Sequence, residues 1–169
     1  MGDDHVAMHA NDTLVEGCAF GTGHGTSIGS LGEGTFLQNI TVRSCSFAGA
    51  TTALRIKADN ASSGALRGVA FRDLALADCG ASLAIGSTYP AAGGPSGSTL
   101  AISDVSFVNI TSARAGAAGA LLCSRLAPCT GLLLEGVTHA PAPAAGWRCE
   151  NARGQAQGAV SPPLGACLS

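Results

Sequence analysis

Apolar and polar residues alternate over short stretches along most of this chain. Alternation with a period of two is typical of β-strands buried on one face, and no stretch keeps the 3.6-residue period of a long helix. Five stretches share a strand-like phrase and begin at Glu16, Gln38, Arg72, Val108 and Glu135. The steps between them are 22, 34, 36 and 27 residues, which predicts a series of similar coils.

Each phrase tends to be followed by a second alternating run, and these runs are 26–30, 54–57, 83–86 and 120–123. A repeat of roughly 20 to 40 residues made of two or three short strands cannot bury its apolar face alone, so successive repeats must stack. The pattern therefore predicts a parallel β-helix. Ten inward positions are expected to carry small or branched side chains: Val42, Leu54, Ile56, Leu74, Leu83, Ile85, Ile102, Ile110, Leu121 and Val137.

The alternative all-β reading is a sandwich or barrel with strands every 8 to 12 residues. Its typical hairpin dipeptides, Asn-Gly and Asp-Gly, do not occur in the sequence, which favours the solenoid. Clusters of Gly, Ser, Ala and Pro predict loops at 58–66, 90–99 and 140–146. We expect these loops to punctuate one domain over residues 1–169. Its C-terminal tail begins at about residue 140, and the last 20 residues are expected to fold back over the open end of the stack.

Composition agrees with a single solenoid of closely packed coils. The 169 residues include 31 Ala, with 4% aromatic and 12% charged residues. The net charge is −2 and the nine Lys and Arg are dispersed, so no basic patch for nucleic acid is present. No apolar stretch reaches 18 residues, and the first residues lack the basic and apolar regions of a signal peptide. Neither nucleic acid nor membrane is an expected partner.

Seven cysteines and four glycosylation sequons favour an oxidising, secretory history. No Cys-x-x-Cys occurs, so zinc and thioredoxin-type chemistry lack their usual spacing. We expect two local disulfides, Cys123 with Cys129 and Cys149 with Cys167, because each closes a short loop near the end of the stack. A Cys45–Cys79 pair stays open as an alternative. The sequons are at Asn11, Asn39, Asn60 and Asn109.

Three short motifs carry residues suited to chemistry. Asp3 and Asp4 place two carboxylates side by side. Two negative charges at such a short distance raise one another's pKa, so one group can act as an acid and the other as a base. His24 lies in the stretch 23–32, where four glycines allow a tight backbone turn. Arg55 and Lys57 alternate on one face of a strand and together suit an anionic ligand such as a carboxylate.

Each motif alone is better explained by exposed, solvated side chains. The motifs are separated by about one coil each, however, with steps of 20 and 31 residues between Asp4, His24 and Arg55. If the coils stack, the acid pair, the histidine and the cations lie side by side on one outer face, with about 4.8 Å between neighbouring strands. The spacing therefore predicts one shared site.

The sequence resembles the C-terminal half of the polygalacturonases of glycoside hydrolase family 28. The family's signatures contain Gly-Asp-Asp, Gly-His-Gly and Arg-Ile-Lys in this order, and the chain has them at 2–4, 23–25 and 55–57. The resemblance continues through Tyr89 and the cysteine-containing segments to Pro163, so it covers essentially the whole chain. It implies a right-handed parallel β-helix, a single-stranded pectin-lyase-like solenoid, that acts without cofactor or metal.

The family's activity is hydrolysis of α-1,4 bonds between galacturonic acids of pectin, with inversion at the anomeric carbon. By resemblance, Asp3 is the general acid, Asp4 is one of the carboxylates that activate water, and His24 tunes or orients the acid. Arg55 and Lys57 are expected to bind the sugar carboxylate. Tyr89, Gly23 and Gly25 are the remaining substrate-binding candidates. The resemblance also implies a secreted or cell-wall location and a monomer at full length.

The chain departs from the family pattern at two points. The family has a third acid in an Asn-Thr-Asp motif about one coil before Gly-Asp-Asp, and no such coil precedes residue 1, so we expect a solenoid truncated on its N-terminal side, poorly soluble or oligomeric, and nearly inactive alone. The residue after Gly-Asp-Asp is commonly a cysteine bonded to the position of Cys18, but here it is His5. We therefore expect Cys18 to be a free thiol.

Two function classes stay open at this point. The first is a pectin-cleaving hydrolase of which this chain is a C-terminal portion. The second is a non-catalytic pectin-binding or structural solenoid that lacks the upstream acid. An adhesion-type β-helix would have no reason to keep the three motifs in register.

Overall fold

The computed structural model describes residues 2–87 and 97–169, and all the regular structure in these ranges is β-strand. We number the strands in chain order. They are β1 (Val6–Met8), β2 (Thr13–Glu16), β3 (Ala19–Phe20), β4 (Thr26–Leu31), β5 (Thr35–Arg43), β6 (Ser46–Ala48), β7 (Thr52–Ala58), β8 (Ser63–Ala77), β9 (Ala81–Gly86), β10 (Thr99–Ala113), β11 (Ala117–Leu122), β12 (Cys129–Ala140), β13 (Ala145–Glu150) and β14 (Ala152–Gln157). No helix capable of crossing a membrane is found among the described residues.

The strands form two parallel sheets, and each turn of the chain contributes strands to both. The first sheet has the order β1-β4-β7-β9-β11-β13 and the second has β14-β12-β10-β8-β5-β2. The short strands β3 and β6 pair in parallel with each other, and β6 also pairs with β8. Each coil thus adds one strand to each sheet, which gives six stacked coils. The predicted parallel β-helix is confirmed.

Two columns of residues with left-handed backbone make the corners of the second sheet. The backbone turns there with φ between 52° and 66°, which Gly, Asn and Asp adopt most readily. One column is Asp12, Asn39, Gly68, Asp104 and Gly131; the other is Gly17, Ser44, Asp73, Asn109, Gly136 and Gly158. Side-chain amides link neighbouring corners: Asn39 Nδ2 donates to Asp12 at 2.7 Å, and Asn109 Nδ2 donates to Asp73 at 2.8 Å.

The register of one predicted repeat is wrong. The residues aligned with Glu16 in successive coils are Arg43, Arg72, Val108 and Glu135, so the second phrase begins at Arg43 and not at Gln38. The sequences Asn39-Ile40-Thr41 and Asn109-Ile110-Thr111 are identical in type, yet they lie at different corners. Both corners accept Asn and they are only five residues apart, so the amino-acid sequence alone does not distinguish them.

The core lies between the sheets and is made of the residues predicted to point inward. All ten are buried, with exposed fractions of 3% or less. Phe71 and Phe107 stack in neighbouring coils with their ring centroids 5.2 Å apart. Small and branched side chains therefore fill each coil in register with the next, which explains how a chain so poor in aromatic residues closes its interior.

The C-terminal end differs from the predicted tail. Strands β13 and β14 pair with β11 and β12, so residues 145–157 form a sixth coil rather than a cover. The segment after Gln157 packs on this coil, where Trp147 Nε1 donates to the Pro162 carbonyl at 2.8 Å. A disulfide joins Cys149 to Cys167, and another joins Cys123 to Cys129, the two pairs expected from the sequence. Cys18, Cys45 and Cys79 are free thiols.

A buried chain of hydrogen bonds runs through this end of the interior. Ser112 Oγ and Ser82 Oγ are 2.9 Å apart, and Ser82 Oγ lies 2.9 Å from His139 Nε2. His139 Nδ1 lies 2.5 Å from the Ser161 carbonyl oxygen. Since a carbonyl only accepts, Nδ1 donates to Ser161, and in the tautomer with its proton on Nδ1 the Nε2 atom accepts from Ser82. Ser82 links the inner coils to the C-terminal segment.

Replacing Ser82 by Ala is expected to lower the free energy of unfolding by about 1 to 3 kcal/mol, because Nε2 of His139 loses its donor in a dry interior. The Ser82 side chain is fully buried, so bulk solvent does not reach this position. Urea denaturation of Ser82→Ala measures the loss. Ser46→Ala, an exposed strand serine, is the matched control and should be nearly neutral. Equal midpoints for the two variants would contradict the assignment of this network.

Candidate active site

The first three coils bring the acid pair, the histidine and the two cations onto one outer face. Asp3 and Asp4 precede β1, His24 precedes β4, and Arg55 and Lys57 belong to β7. The parallel register places Val6 beside Thr26 and Ser27 beside Arg55. Backbone hydrogen bonds from His24 to Asp3 and from His5 to Gly25 continue this register beyond the strand ends. The predicted juxtaposition of the three motifs is what the structure shows.

The Asp4 carboxylate is held by both cations. Its Oδ1 accepts from the Arg55 guanidinium, and its Oδ2 accepts from Lys57 Nζ at 2.5 Å. The side chains of Asp4, Arg55 and Lys57 are 10%, 14% and 9% exposed, so the cluster is nearly dry. Arg55 Nε also donates to Ser27 Oγ at 3.1 Å. A carboxylate with two cationic partners in such a setting is fixed in position.

The protonation of Asp4 differs from the expectation for adjacent carboxylates. Burial by itself raises the pKa of Asp4, but the hydrogen bond from Lys57, the charges of Arg55 and Lys57 and a hydrogen bond from Ser27 outweigh it. The pKa of Asp4 therefore lies below its usual value. The prediction that Asp3 and Asp4 raise one another's pKa is wrong for Asp4, because the nearest charges to it are cations.

Asp3 stands in a different environment from its neighbour. Its side chain is 96% exposed, and its Oδ1 accepts from the Asp4 amide at 2.8 Å and lies 3.5 Å from His24 Nδ1. The His24 side chain is 43% exposed. A solvent-facing carboxyl beside an imidazole and an ionised carboxylate beneath it form two distinct acid sites. Asp3 faces solvent, whereas Asp4 is held in place by Arg55 and Lys57.

The cations are less open than the sequence suggests. As predicted, Arg55 and Lys57 share a face while Ile56, which is 1% exposed, points inward. They were expected to face a ligand, however, and in the structure they face Asp4. Lys57 is the only lysine of the chain. An anionic ligand that reaches these cations must share them with Asp4.

Gly23 and Gly25 permit the close approach of the first coils. A Cβ on Gly23 would meet His5 Nε2 at 2.5 Å. Gly25 has φ +93°, and a Cβ there would overlap the backbone carbonyls of Thr52 and Ala53 in the next coil. Their visible role is to let the backbone that carries His24 pack against its neighbours.

We expect Gly25→Ala to destabilise the fold by more than about 1 kcal/mol, because the substitution combines an unfavourable φ with a backbone overlap. Gly21→Ala is the matched control, since no atom lies within 4 Å of the added methyl and its φ is not in the left-handed region. Thermal unfolding of both variants, followed by circular dichroism, checks the difference. Similar midpoints for Gly25→Ala and Gly21→Ala would refute the proposed packing.

Two neighbouring residues were not among the sequence-predicted site residues. Ser27 is fully buried between Asp4 and Arg55, and its register with Arg55 is the signal that would have found it. His5 stacks on Phe20 with centroids 5.0 Å apart, and neither ring nitrogen has a hydrogen-bond partner among the described residues. His5 follows Asp4 directly in the chain, and its ring centroid also lies 6.3 Å from that of Phe47. Tyr89, the remaining substrate-binding candidate, lies outside the described residues.

Asp3, Asp4 and His24 are also the residues closest to a metal-ligand set. Each offers one donor atom, and these atoms lie within 4.8 Å of one another. Both Asp4 oxygens already accept from cations, and the positive charges of Arg55 and Lys57 oppose a second cation. The donor set therefore fits an acid site better than a metal centre, and the absence of a metal requirement stays a prediction.

Comparison with known proteins identifies relatives over most of the chain. Residues 1–160 match the profile of Glycosyl hydrolases family 28. A polygalacturonase of Prunus persica is 34% identical over 172 residues, which cover 95% of this chain and 44% of the relative. An endo-polygalacturonase of Pectobacterium carotovorum subsp. carotovorum is 33% identical over 123 residues, which cover 68% of this chain and 29% of the relative.

A solved structure has the same fold. Endopolygalacturonase I from Stereum purpureum, complexed with two galacturonate, superposes with a TM-score of 0.78 at 22% identity over 93% of this chain and 48% of that one. The likeness confirms the predicted right-handed parallel β-helix. The chain spans less than half the length of these relatives.

Proposed function

Because the chain belongs to glycosyl hydrolases family 28, we propose that residues 1–169 form the C-terminal coils of a polygalacturonase-like catalytic domain. The whole protein hydrolyses α-1,4 galacturonosyl bonds of pectin with inversion. It acts outside the cell or in the cell wall, where the two disulfides are stable. It needs no cofactor and works as a monomer.

One observation carries this proposal. An exposed carboxyl, Asp3, lies beside a buried ionised carboxylate, Asp4, which two cations hold on the same outer face. Glycoside hydrolysis requires carboxyl groups in different protonation states, one to protonate the leaving oxygen and one to act as an anion. Asp4, whose pKa is lowered by Lys57 and Arg55, suits the role of the anion, and Asp3 is exposed where a leaving oxygen can reach it.

The roles follow from those environments. Asp3 donates the proton to the leaving oxygen, and His24, 3.5 Å away, orients its carboxyl. Asp4 is the ionised carboxylate that binds and orients the attacking water. An oxygen of each carboxyl lies within 4.8 Å of the other, while inverting enzymes separate acid and base by roughly 6.5 to 9.5 Å. The water therefore needs a further carboxylate, which the coil preceding Asp3 in the whole domain supplies.

The substrate is a polymer of uronic acids, and its carboxylates bind the cationic side chains of Arg55 and Lys57. Arg55 and Lys57 each have nitrogens on the face that carries Asp4, so a uronate can bind them beside Asp4. Charge-assisted hydrogen bonds of this kind contribute about 1.5 to 3 kcal/mol each. By resemblance to the family, Tyr89 is a further substrate-binding candidate, and Gly23 and Gly25 let the backbone that carries His24 pack closely against its neighbours.

Titration of the chain with tri-galacturonate tests this proposal without requiring cleavage. Lys57→Ala is expected to weaken binding roughly tenfold or more, because one charge-assisted contact is lost. Isothermal calorimetry gives the affinity. Arg153→Ala, which removes an exposed cation in the last coil, is the matched control and should bind like the wild type.

Because Lys57 also holds Asp4, the variants must be shown to be folded by circular dichroism before they are titrated. Since Lys57 is the only lysine, reductive ¹³C-methylation labels it together with the N-terminus alone. The methyl resonance of Lys57 should shift when tri-galacturonate is added. An unchanged resonance together with equal affinities for wild type and Lys57→Ala would overturn the assignment of the uronate site.

A further inference from the structure

Two of the free cysteines are neighbours in adjacent coils. Ala19 pairs with Ser46 in the parallel register, so the residues just before them, Cys18 and Cys45, occupy equivalent positions. Both follow the same column of left-handed corners, Cys18 after Gly17 and Cys45 after Ser44. Register neighbours of adjacent strands lie about 4.8 Å apart, within the roughly 4.4 to 6.8 Å between Cα atoms that a disulfide spans.

The contacts show that the two thiols point the same way. Each sulfur donates to the carbonyl two residues earlier: Cys18 Sγ to Glu16 at 3.4 Å and Cys45 Sγ to Arg43 at 3.1 Å. The Cys18 amide in turn donates to Cys45 Sγ at 3.4 Å. The Cys45 sulfur therefore reaches across to the first coil. A bond between the sulfurs is therefore compatible with the register of the two strands.

The two thiols differ in their access to solvent. Cys18 is half-buried, whereas Cys45 is 4% exposed, and burial raises the pKa of the Cys45 thiol. The third free cysteine, Cys79, is 1% exposed and lies between Ala50 and Ala115 of the neighbouring coils. Cys18 is thus the accessible thiol, and Cys45 is the cysteine in register with it on the adjacent strand. Cys79 is buried, and the residues in register with it are not cysteines.

We propose that Cys18 and Cys45 are an oxidation site that forms a third disulfide by exchange with a small-molecule disulfide such as oxidised glutathione. The Cys18 thiolate attacks a glutathione sulfur, so a Cys18–glutathione bond forms and one glutathione thiolate leaves. The Cys45 thiolate then attacks the Cys18 sulfur and releases the second glutathione. Two protein thiols are oxidised, one glutathione disulfide is reduced to two thiols, and the two protons from the cysteines protonate the released thiolates.

The cross-link lies close to the rings that pack against His5, the residue that follows Asp4. Phe20 and Phe47 follow Cys18 and Cys45 by two residues, and their rings lie 5.0 Å apart beneath His5. A bond between the sulfurs joins the first coil, which carries Asp3 and Asp4, to the second, which carries His24. The bond fixes these two coils to each other whether or not the chain hydrolyses pectin, so this inference does not depend on the proposed function.

Disulfide mapping of the folded wild-type chain tests the proposal. The protein is incubated with oxidised glutathione, its remaining thiols are alkylated, and it is digested with trypsin without reduction. Trypsin separates all seven cysteines, placing Cys18 in peptide 1–43, Cys45 in 44–55 and Cys79 in 73–114. We expect peptide 1–43 linked to 44–55, with Cys79 alkylated. Alkylated Cys18 and Cys45, or a stable glutathione adduct on Cys18 with Cys45 alkylated, overturns the proposal.

Single variants identify the order of the two steps. Cys45→Ser should retain glutathione on Cys18, because the resolving thiol is absent. Cys18→Ser should show no adduct on buried Cys45 over the same time, and Cys79→Ser should form the cross-link like the wild type. Oxidation should also raise the thermal midpoint of the wild type and of Cys79→Ser but not of Cys45→Ser. A rise in Cys45→Ser equal to that of the wild type counts against a Cys18–Cys45 bond.

Discussion

Replacing Asp3 by Asn in the full-length enzyme of which this chain is proposed to be part should slow polygalacturonate hydrolysis by about a hundredfold to ten-thousandfold. This is the usual contribution of a general acid. The introduced carboxamide keeps the size of the side chain and an oxygen that accepts from the Asp4 amide, but it is not acidic enough to protonate the leaving oxygen. Release of reducing ends, measured over several substrate concentrations, should show the loss in kcat rather than in KM.

A substrate that needs no acid separates this role from a structural one. Fluoride leaves without protonation, so Asp3→Asn should hydrolyse galacturonosyl fluoride nearly as fast as the wild type. Asp104→Asn, at an exposed corner of the second sheet, is the matched control and should keep full activity on both substrates. If Asp3→Asn loses both activities equally, Asp3 is not the acid. Binding without any cleavage by the wild-type full-length protein would favour the non-catalytic alternative.

Asp4→Asn should lower the free energy of unfolding by about 3 kcal/mol at neutral pH, because it leaves two nearly buried cations without their anion. The side chains of Arg55 and Lys57 have only 14% and 9% of their surface exposed, so water screens them poorly. Asp78→Asn is the matched control: it breaks an ion pair with Arg114 whose side chains are more than half exposed. Its loss of stability should be much smaller than that of Asp4→Asn.

The cost of Asp4→Asn depends on pH in a defined direction. The pKa of Asp4 is lowered in the folded chain, so its contribution to stability is fully present above the unfolded value of about 3.9 and disappears as the pH falls towards the folded pKa. The difference between wild type and Asp4→Asn should therefore be large at pH 7 and shrink below about pH 4. Urea denaturation of both proteins at pH 7 and pH 3 measures it. A difference that grows on acidification would contradict the ion-pair cluster.

The features repeated in every coil were predictable from sequence. Period-two alternation identified the strands, and the inward residues from Val42 to Val137 are buried because one register repeats through the stack. The spacing of Asp4, His24 and Arg55 placed three motifs on one face. Parallel coils turn a fixed sequence distance into a fixed position, so these predictions required no knowledge of side-chain contacts.

The remaining features depend on contacts between coils that the sequence does not show. Arg55 and Lys57 were predicted to bind the carboxylate of a ligand. Only the structure shows that both already donate to the carboxylate of Asp4. The corner at Asn39 was confused with the one at Ser44, since both permit left-handed backbone. The sixth coil at 145–157 escaped prediction because its strands are largely exposed and therefore lack a clear apolar alternation.

The proposed function requires that the first three coils bind a uronic-acid polymer across Asp3, Asp4, His24, Arg55 and Lys57. Mapping of amide chemical shifts in the ¹⁵N-labelled chain during titration with tri-galacturonate tests it most directly. The largest shifts are expected at 3–5, 23–27 and 55–57, with no change in the second sheet. Saturable shifts confined to the second sheet or to the last coil would contradict it.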